Sequence, residues 1–217
     1  MKKIGVVLSG CGVYDGSEIH EAVLTLLAID RYGCEAVCMA PKVDFTVTNH
    51  LSRQETGEKR SVLVESARIA RGNIRDIKEV SASEIDAIIF PGGFGAAKNL
   101  CDFAVKGAVA SVNTDVARLL KEIAAAGKPI GAVCIAPALI AAVLGKDYSP
   151  TVTIGNDAGT SAEIEKTGAV HQECLVTEFV VDRKNNLVTS PAYMLANRIS
   201  EVAEGIDKCV KEVINLI

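Results

Sequence analysis

The chain contains no tryptophan, and only four tyrosines and five phenylalanines among 217 residues. Proteins that hold single-stranded nucleic acid stack its bases on aromatic side chains, so this scarcity argues against that role. Positive charge is also short. The formal net charge is -4 at pH 7, and no basic stripe gathers to neutralise phosphates. No apolar run approaches the roughly 20 residues that span a bilayer. Neither a nucleic acid nor a membrane is therefore an expected partner. The basic start Met1-Lys2-Lys3 leads straight into a strand pattern. Ser9-Gly10-Cys11-Gly12 and Asp15 break the apolar run, which does not read as a signal peptide. The seven cysteines are odd in number and scattered. Cys34 and Cys38 lack zinc-knuckle spacing and no second cluster completes a site, so no metal is expected. Reduced thiols in a cytoplasm are the simplest reading.

What is present is an ordinary globular balance, 49% hydrophobic and 23% charged. Lys3 to Leu8 reads as a strand. Ser17 to Arg31 reads as a helix, with Ser17 as candidate N-cap and Gly33 as the stop. Glu35 to Ala40 is a second strand closed by Pro41. Lys42 to Gly57 is polar and extended, suited to short β segments off the main sheet. Val62 to Arg71 has helical periodicity, Ile85 to Phe90 is a continuous apolar strand, and Asp115 to Ala126 is an amphipathic helix. Val152-Thr153-Ile154, Leu175 to Val181 and Leu187 to Thr189 read as later strands, the last two joined through Asn185-Asn186. Pro191 to Ile217 reads mostly as one helix. Apolar strands separated by helices predict a parallel sheet covered on both faces, in a single doubly wound α/β domain over residues 1–217.

In such a sheet the ligand lies beyond the carboxyl ends of the strands. Three segments place unusual residues there: Ser9 to Glu21, Pro91 to Lys98, and Cys134-Ile135. Cys134 follows the strand pattern Pro129 to Val133 and precedes a helical run from Ala136, with Pro137 suited to a first turn. A strand, a sharp turn bearing a nucleophile and a helix form a nucleophile elbow. The helix N-terminus is expected to hold the thiol pKa below its free value and make Cys134 the fastest of the seven cysteines to alkylate; the alternative is a buried core cysteine. Pro91-Gly92-Gly93 offers backbone N–H groups without side chains in the way. Gly93 and Ile135, with Gly92 beside them, are the candidate oxyanion hole. Glu18 and Glu21 fall in the first helical turn, and a carboxylate there that faces the crevice can reach the sulfur. Ser9, Cys11, Tyr14, His20 and Lys98 are candidate pocket residues. A nicotinamide site is rejected: Asp15 stands where a third glycine is needed, and the second strand ends without an acid for a ribose. No cofactor is expected.

The long opening motif Lys3–Val23, together with Pro91–Leu100, Cys134-Ile135-Ala136-Pro137-Ala138 and Thr189–Leu195, resembles the ElbB family, also called enhancing-lycopene-biosynthesis or sigma cross-reacting proteins. That family falls in the PfpI and Parkinsonism-associated branch of the class I glutamine-amidotransferase-like superfamily. The resemblance covers essentially the whole chain. It implies a flavodoxin-like, mostly parallel sheet sandwiched by helices, an elbow cysteine, a first-helix glutamate that maps onto Glu21, and a homodimer. Many superfamily members carry a histidine directly after the elbow cysteine, where this chain has Ile135. Others place one at the end of the next strand, here Thr153-Ile154-Gly155. Glutamine amidotransferases need a His–Glu pair in a C-terminal loop, and the matching stretch Ser190-Pro191-Ala192-Tyr193 has no histidine, so amidotransferase activity ranks last. Of the remaining histidines, His171 is not expected to reach the site and His50 is expected to be a solvated surface residue. The resemblance implies a slow, cofactor-free glyoxalase acting on a small aldehyde, methylglyoxal or glyoxal, through Cys134 and Glu21. A non-enzymatic redox-sensing or regulatory protein linked to isoprenoid biosynthesis is the alternative.

Overall fold

A computed structural model describes residues 1–217. In chain order the elements are β1 (Lys3–Val7), α1 (Ile19–Arg31), β2 (Glu35–Ala40), β3 (Asp44–Asn49), β4 (Gln54–Ser61), α2 (Val62–Ile69), β5 (Arg75–Asp76), β6 (Ala87–Phe90), α3 (Phe94–Lys98), α4 (Phe103–Lys106) and α5 (Thr114–Ala125). They continue with β7 (Ile130–Val133), α6 (Ala136–Tyr148), β8 (Thr151–Val152), α7 (Ala158–Lys166), β9 (Val170–His171), β10 (Val180–Asp182), β11 (Leu187–Ser190) and α8 (Ile199–Asn215). The main sheet runs β10-β11-β7-β6-β1-β2-β5. Every pairing is parallel except β10 with β11. This is the α/β fold expected from alternating apolar strands and helices.

The centre of the sheet is apolar on both faces. All four residues of β6 and all four of β7 are buried, as a strand covered on both sides requires. On one face α5 and α6 pack Val116, Leu119, Leu120, Leu139 and Leu144 against Ile88, Phe90 and Ile130. On the other, α1 and α8 pack Ala22, Ile29, Val202, Ile206 and Val213 against Ile4, Val6 and Ile89. The spacing of Val202, Ile206, Cys209, Val210 and Val213 along α8 is one stripe of a helix. From β1 the chain turns to β2 on one side and later returns through β6 on the other. The strand order thus reverses between β1 and β6, the crevice where open α/β sheets take ligands.

Several local features differ from the sequence reading. Ser17 is not the N-cap of α1. Glu18 is, and its carboxylate accepts the Glu21 N–H at 2.7 Å. Ser17 turns inward instead, where its hydroxyl accepts the Ser9 N–H at 2.8 Å. The polar segment from Lys42 folds into the β3–β4 hairpin apart from the main sheet, as expected. The stretch Val152-Thr153-Ile154 contributes only Val152 to a strand, and β8 pairs with β9 outside the main sheet. Of Leu175 to Val181 only Val180 and Val181 are strand; a turn at Val176 and Thr177 interrupts the apolar pattern. The C-terminal helix begins at Ile199, because Ala192–Met194 forms a separate single turn of tighter helix.

Candidate active site

Four strand ends meet at the crevice. Ser9 follows β1, Pro91-Gly92-Gly93 follows β6, Cys134 follows β7, and Pro191 to Tyr193 follow β11. Cys134 has φ +60°, a left-handed conformation that costs a non-glycine residue about 1–3 kcal/mol and is held only when its surroundings impose it. Here β7 and α6 fix both sides, and the Cys134 N–H donates to the Ser190 carbonyl at 3.0 Å. Ile135 caps α6, with proline in its first turn.

Glu21 is fully buried at the start of α1. Its Oε2 accepts the Gly92 N–H at 3.0 Å and its Oε1 accepts the Tyr193 N–H at 3.1 Å. The Cys134 thiol stands beside the same carboxyl: a Cβ on Gly92 would meet both Glu21 Oε2 and Cys134 Sγ, and each group shifts the other's pKa. The backbone N–H groups of Gly93 and Ile135 lie near enough to the sulfur to favour its thiolate form. Glycine is required at 92, because a Cβ there would collide with Cys134 Cβ and the Glu21 carboxylate. Gly93 has φ +95°, and a Cβ there would strike the backbone of Gly16 and Glu18. The turn after β6 is therefore shaped by its closeness to both α1 and the elbow.

The electrostatics run against one expectation. A position before α6 was expected to lower the thiol pKa. Cys134 is only 8% exposed, and burial, reinforced by the negative charge of Glu21, holds it well above its ordinary value. The N–H groups of Gly93 and Ile135 pull the other way without prevailing. Burial also pushes Glu21 up to about 8, against the opposing hydrogen bonds from Tyr193 and Gly92 and with help from Glu18. At neutral pH the pair is chiefly a carboxylic acid beside a thiol, poised to lose one proton just above neutrality.

The other expected site residues are dispersed. Gly92 was expected to help line an oxyanion hole, but its N–H is committed to Glu21. Ser9 is buried, its hydroxyl 3.2 Å from that of Ser17, and so fixes the β1–α1 loop instead of lining a pocket. Cys11 is half-buried, near enough to Glu65 and Arg68 of α2 to feel their charges. Tyr14 and Lys98 line a separate cleft of about 330 Å3 against the β3–β4 hairpin. His20 is exposed, with Nδ1 2.7 Å from the Tyr193 hydroxyl. His171 accepts the Ile154 N–H at 3.3 Å and belongs to the β8–β9 pair. His50 is largely exposed yet accepts the Tyr14 N–H at 3.3 Å, tying the β1–α1 loop to the hairpin. Tyr193 was not singled out as a site residue. It contributes through its backbone, which leaves no mark on residue type; its place after β11 was the available signal. No three His, Cys, Asp or Glu side chains converge as metal ligands.

Phe94, which follows Gly93, and Ile135, which follows Cys134, share an open cleft of about 540 Å3 bounded by α3, α4 and α7. Residues 13–199, which contain the elbow cysteine, the first-helix glutamate and the glycine pair, match the model of the DJ-1/PfpI family. The chain belongs to the DJ-1/PfpI family. This DJ-1/PfpI chain is 48% identical to the human protein named glutamine amidotransferase-like class 1 domain-containing protein 3, mitochondrial, over 99% of this chain and 83% of that protein. It is 33% identical to the ES1 protein, mitochondrial, of Danio rerio, over 98% of this chain and 85% of that one. Among solved structures it superimposes on an isoprenoid biosynthesis protein with amidotransferase-like domain from Ehrlichia chaffeensis with a TM-score of 0.94. That pair is 37% identical and covers 100% of this chain and 99% of the other. No helix is long and apolar enough to cross a membrane.

Proposed function

We propose that this DJ-1/PfpI member is a cofactor-free glyoxalase that converts methylglyoxal or glyoxal to the corresponding hydroxy acid. The observation that carries the reading is the buried pair of Cys134 and Glu21, packed side by side against Gly92, with the backbone N–H groups of Gly93 and Ile135 near the sulfur. The reaction needs no external oxidant, because the aldehyde carbon is oxidised as the neighbouring carbonyl is reduced. Glu21, as carboxylate, takes the thiol proton while Sγ adds to the aldehyde carbon, and delivers it to the new alkoxide, giving a hemithioacetal. The N–H groups of Gly93 and Ile135 stabilise negative charge on sulfur and on the oxygen forming beside it. Glu21 then removes the hydrogen from the former aldehyde carbon, giving an enediolate, and returns that proton to the adjacent carbon, while the hydroxyl proton of the former aldehyde carbon passes to the neighbouring oxygen. The product is a 2-hydroxy thioester. Water cleaves it, releasing the hydroxy acid and restoring the thiol.

A group that both takes and gives a proton works best with a pKa near the working pH, and Glu21 at about 8 meets that condition. With no histidine in the Pro191–Tyr193 loop, the same carboxyl carries every proton, which predicts slow turnover. The second reading, a redox-sensing or regulatory protein, draws on the isoprenoid label of the Ehrlichia relative. It ranks lower, because oxidation to sulfenic acid favours exposed, low-pKa thiols and Cys134 is neither. Amidotransferase chemistry ranks last, since the stretch Ser190–Tyr193 carries no histidine to pair with a glutamate. We also propose membership of the ElbB group on the strength of the same relative, one functional unit over residues 1–217, a homodimer, and a reducing, cytoplasmic setting consistent with seven free thiols. The test is hydroxy-acid formation from methylglyoxal by wild type and Glu21→Gln. Loss of about 100-fold or more in kcat is expected for removal of a positioned acid–base group; an unchanged kcat removes Glu21 from the reading.

A further inference from the structure

The cleft beside the elbow is far larger than methylglyoxal requires. Its volume of about 540 Å3 falls within the roughly 300–1,000 Å3 of sites that hold drug-sized ligands. Its walls join the reacting centre through the chain itself. Phe94 and Ile135 both line the cleft, and they directly follow Gly93 and Cys134 in the chain. Phe103 and Val105 of α4 supply further apolar wall, and Phe94 and Val105 present 46% and 82% of their surface. The two charged side chains in the wall are already engaged. Lys106 pairs with Asp102 at 2.6 Å. Glu163 accepts the Ala108 N–H at 2.9 Å and pairs with Lys166. Neither is left to bind a carboxylate or phosphate, so the lining suits a neutral, apolar group.

Resting on the glyoxalase reading, we infer that the cleft formed by Phe94, Phe103, Val105 and Ile135 is a substrate arm site, and that the preferred substrates are neutral 2-oxoaldehydes bearing an aryl or branched alkyl group. The arm occupies the cleft while the aldehyde carbon reaches Cys134 from the Gly93–Ile135 side. The bonds made and broken are those of the methylglyoxal reaction, and the product is the matching 2-hydroxy acid. The apolar arm lowers KM without adding a proton-transfer group.

The experiment compares phenylglyoxal with methylglyoxal in wild type and in the Phe94→Ala/Val105→Asp double variant. One additional methylene in an apolar site is worth roughly tenfold or more. The expected result is a kcat/KM at least tenfold higher for phenylglyoxal, expressed in KM, with the ratio falling toward unity in the double variant. Equal kcat/KM for the two aldehydes in wild type overturns the inference and leaves the glyoxalase reading in place. If neither aldehyde is turned over, that reading fails and labelling decides the inference. Cys134 is then alkylated at pH 9 with iodoacetanilide and with iodoacetamide, and each cysteine is quantified by mass spectrometry. A preference for the aryl reagent at Cys134 at least tenfold above that at Cys11 keeps the cleft as an apolar ligand site. The same preference at both cysteines, or no labelling of Cys134 by either reagent, overturns it.

Discussion

Replacing Glu21 by glutamine should make the protein less stable at pH 5 and more stable at pH 8. The carboxyl ionises at its ordinary 4.5 in the unfolded chain and at about 8 when folded. Its folded pKa is raised, so its contribution is intact below 4.5 and is lost as pH rises toward 8, because the folded state retains a proton that the unfolded chain releases. Each pH unit in that window costs about 1.36 kcal/mol, and the integrated loss from pH 5 to pH 8 is about 3–4 kcal/mol. Glutamine does not titrate and escapes this loss. It carries a penalty of its own, since its amide cannot accept from both Gly92 and Tyr193 as the carboxyl does. One N–H left unpaired costs about 1–3 kcal/mol at any pH. The two stability curves should therefore cross. Urea unfolding of both proteins at pH 5, 6, 7 and 8 gives the difference directly, with all other titrating groups cancelling. Parallel curves would show that Glu21 is not buried with a raised pKa and would remove the proton-transfer argument.

Because Glu21 must be ionised to act as base, kcat/KM for methylglyoxal should rise about tenfold per pH unit below about 8 and level off above it; a flat profile from pH 6 to pH 9 contradicts the assignment. Brief iodoacetamide treatment at pH 7 should label the partly exposed Cys11, Cys34 and Cys174 before the buried Cys134, as read by peptide mass spectrometry. Gly92→Ala should abolish turnover and lower stability by about 1–3 kcal/mol, the usual cost of forcing volume into a packed site, checked by steady-state assay and urea unfolding. Asn99→Ala should cost about 1–3 kcal/mol in urea unfolding, since its amide donates to the Ser9 and Asp15 carbonyls at 2.8 Å each and holds the loop that leads into α1.

The parallel sheet was legible because continuous apolar strands such as Ala87–Phe90 alternate with amphipathic helices such as Thr114–Ala125. The elbow was legible because Cys134 sits between a buried strand and a helix with proline in its first turn. The thiol's protonation was not, since a helix N-terminus shows in sequence while the depth of burial that opposes it depends on α1 and β6 arriving at the same point. Glu18 as N-cap was also missed, because Ser17 is the better capping type and only the fold sends its hydroxyl inward to Ser9. Tyr14 and Lys98 lie beyond strand ends as expected, yet the β3–β4 hairpin, whose position no local pattern encodes, gives them a cleft of their own.

The central claim is that the Cys134 sulfur does covalent chemistry on an aldehyde. The most direct measurement is lactate formed from methylglyoxal by purified wild type and by Cys134→Ala, at pH 8 and without added cofactor. The account predicts steady, slow lactate production by wild type and none above the uncatalysed rate by the variant. Equal production by the two proteins would contradict it.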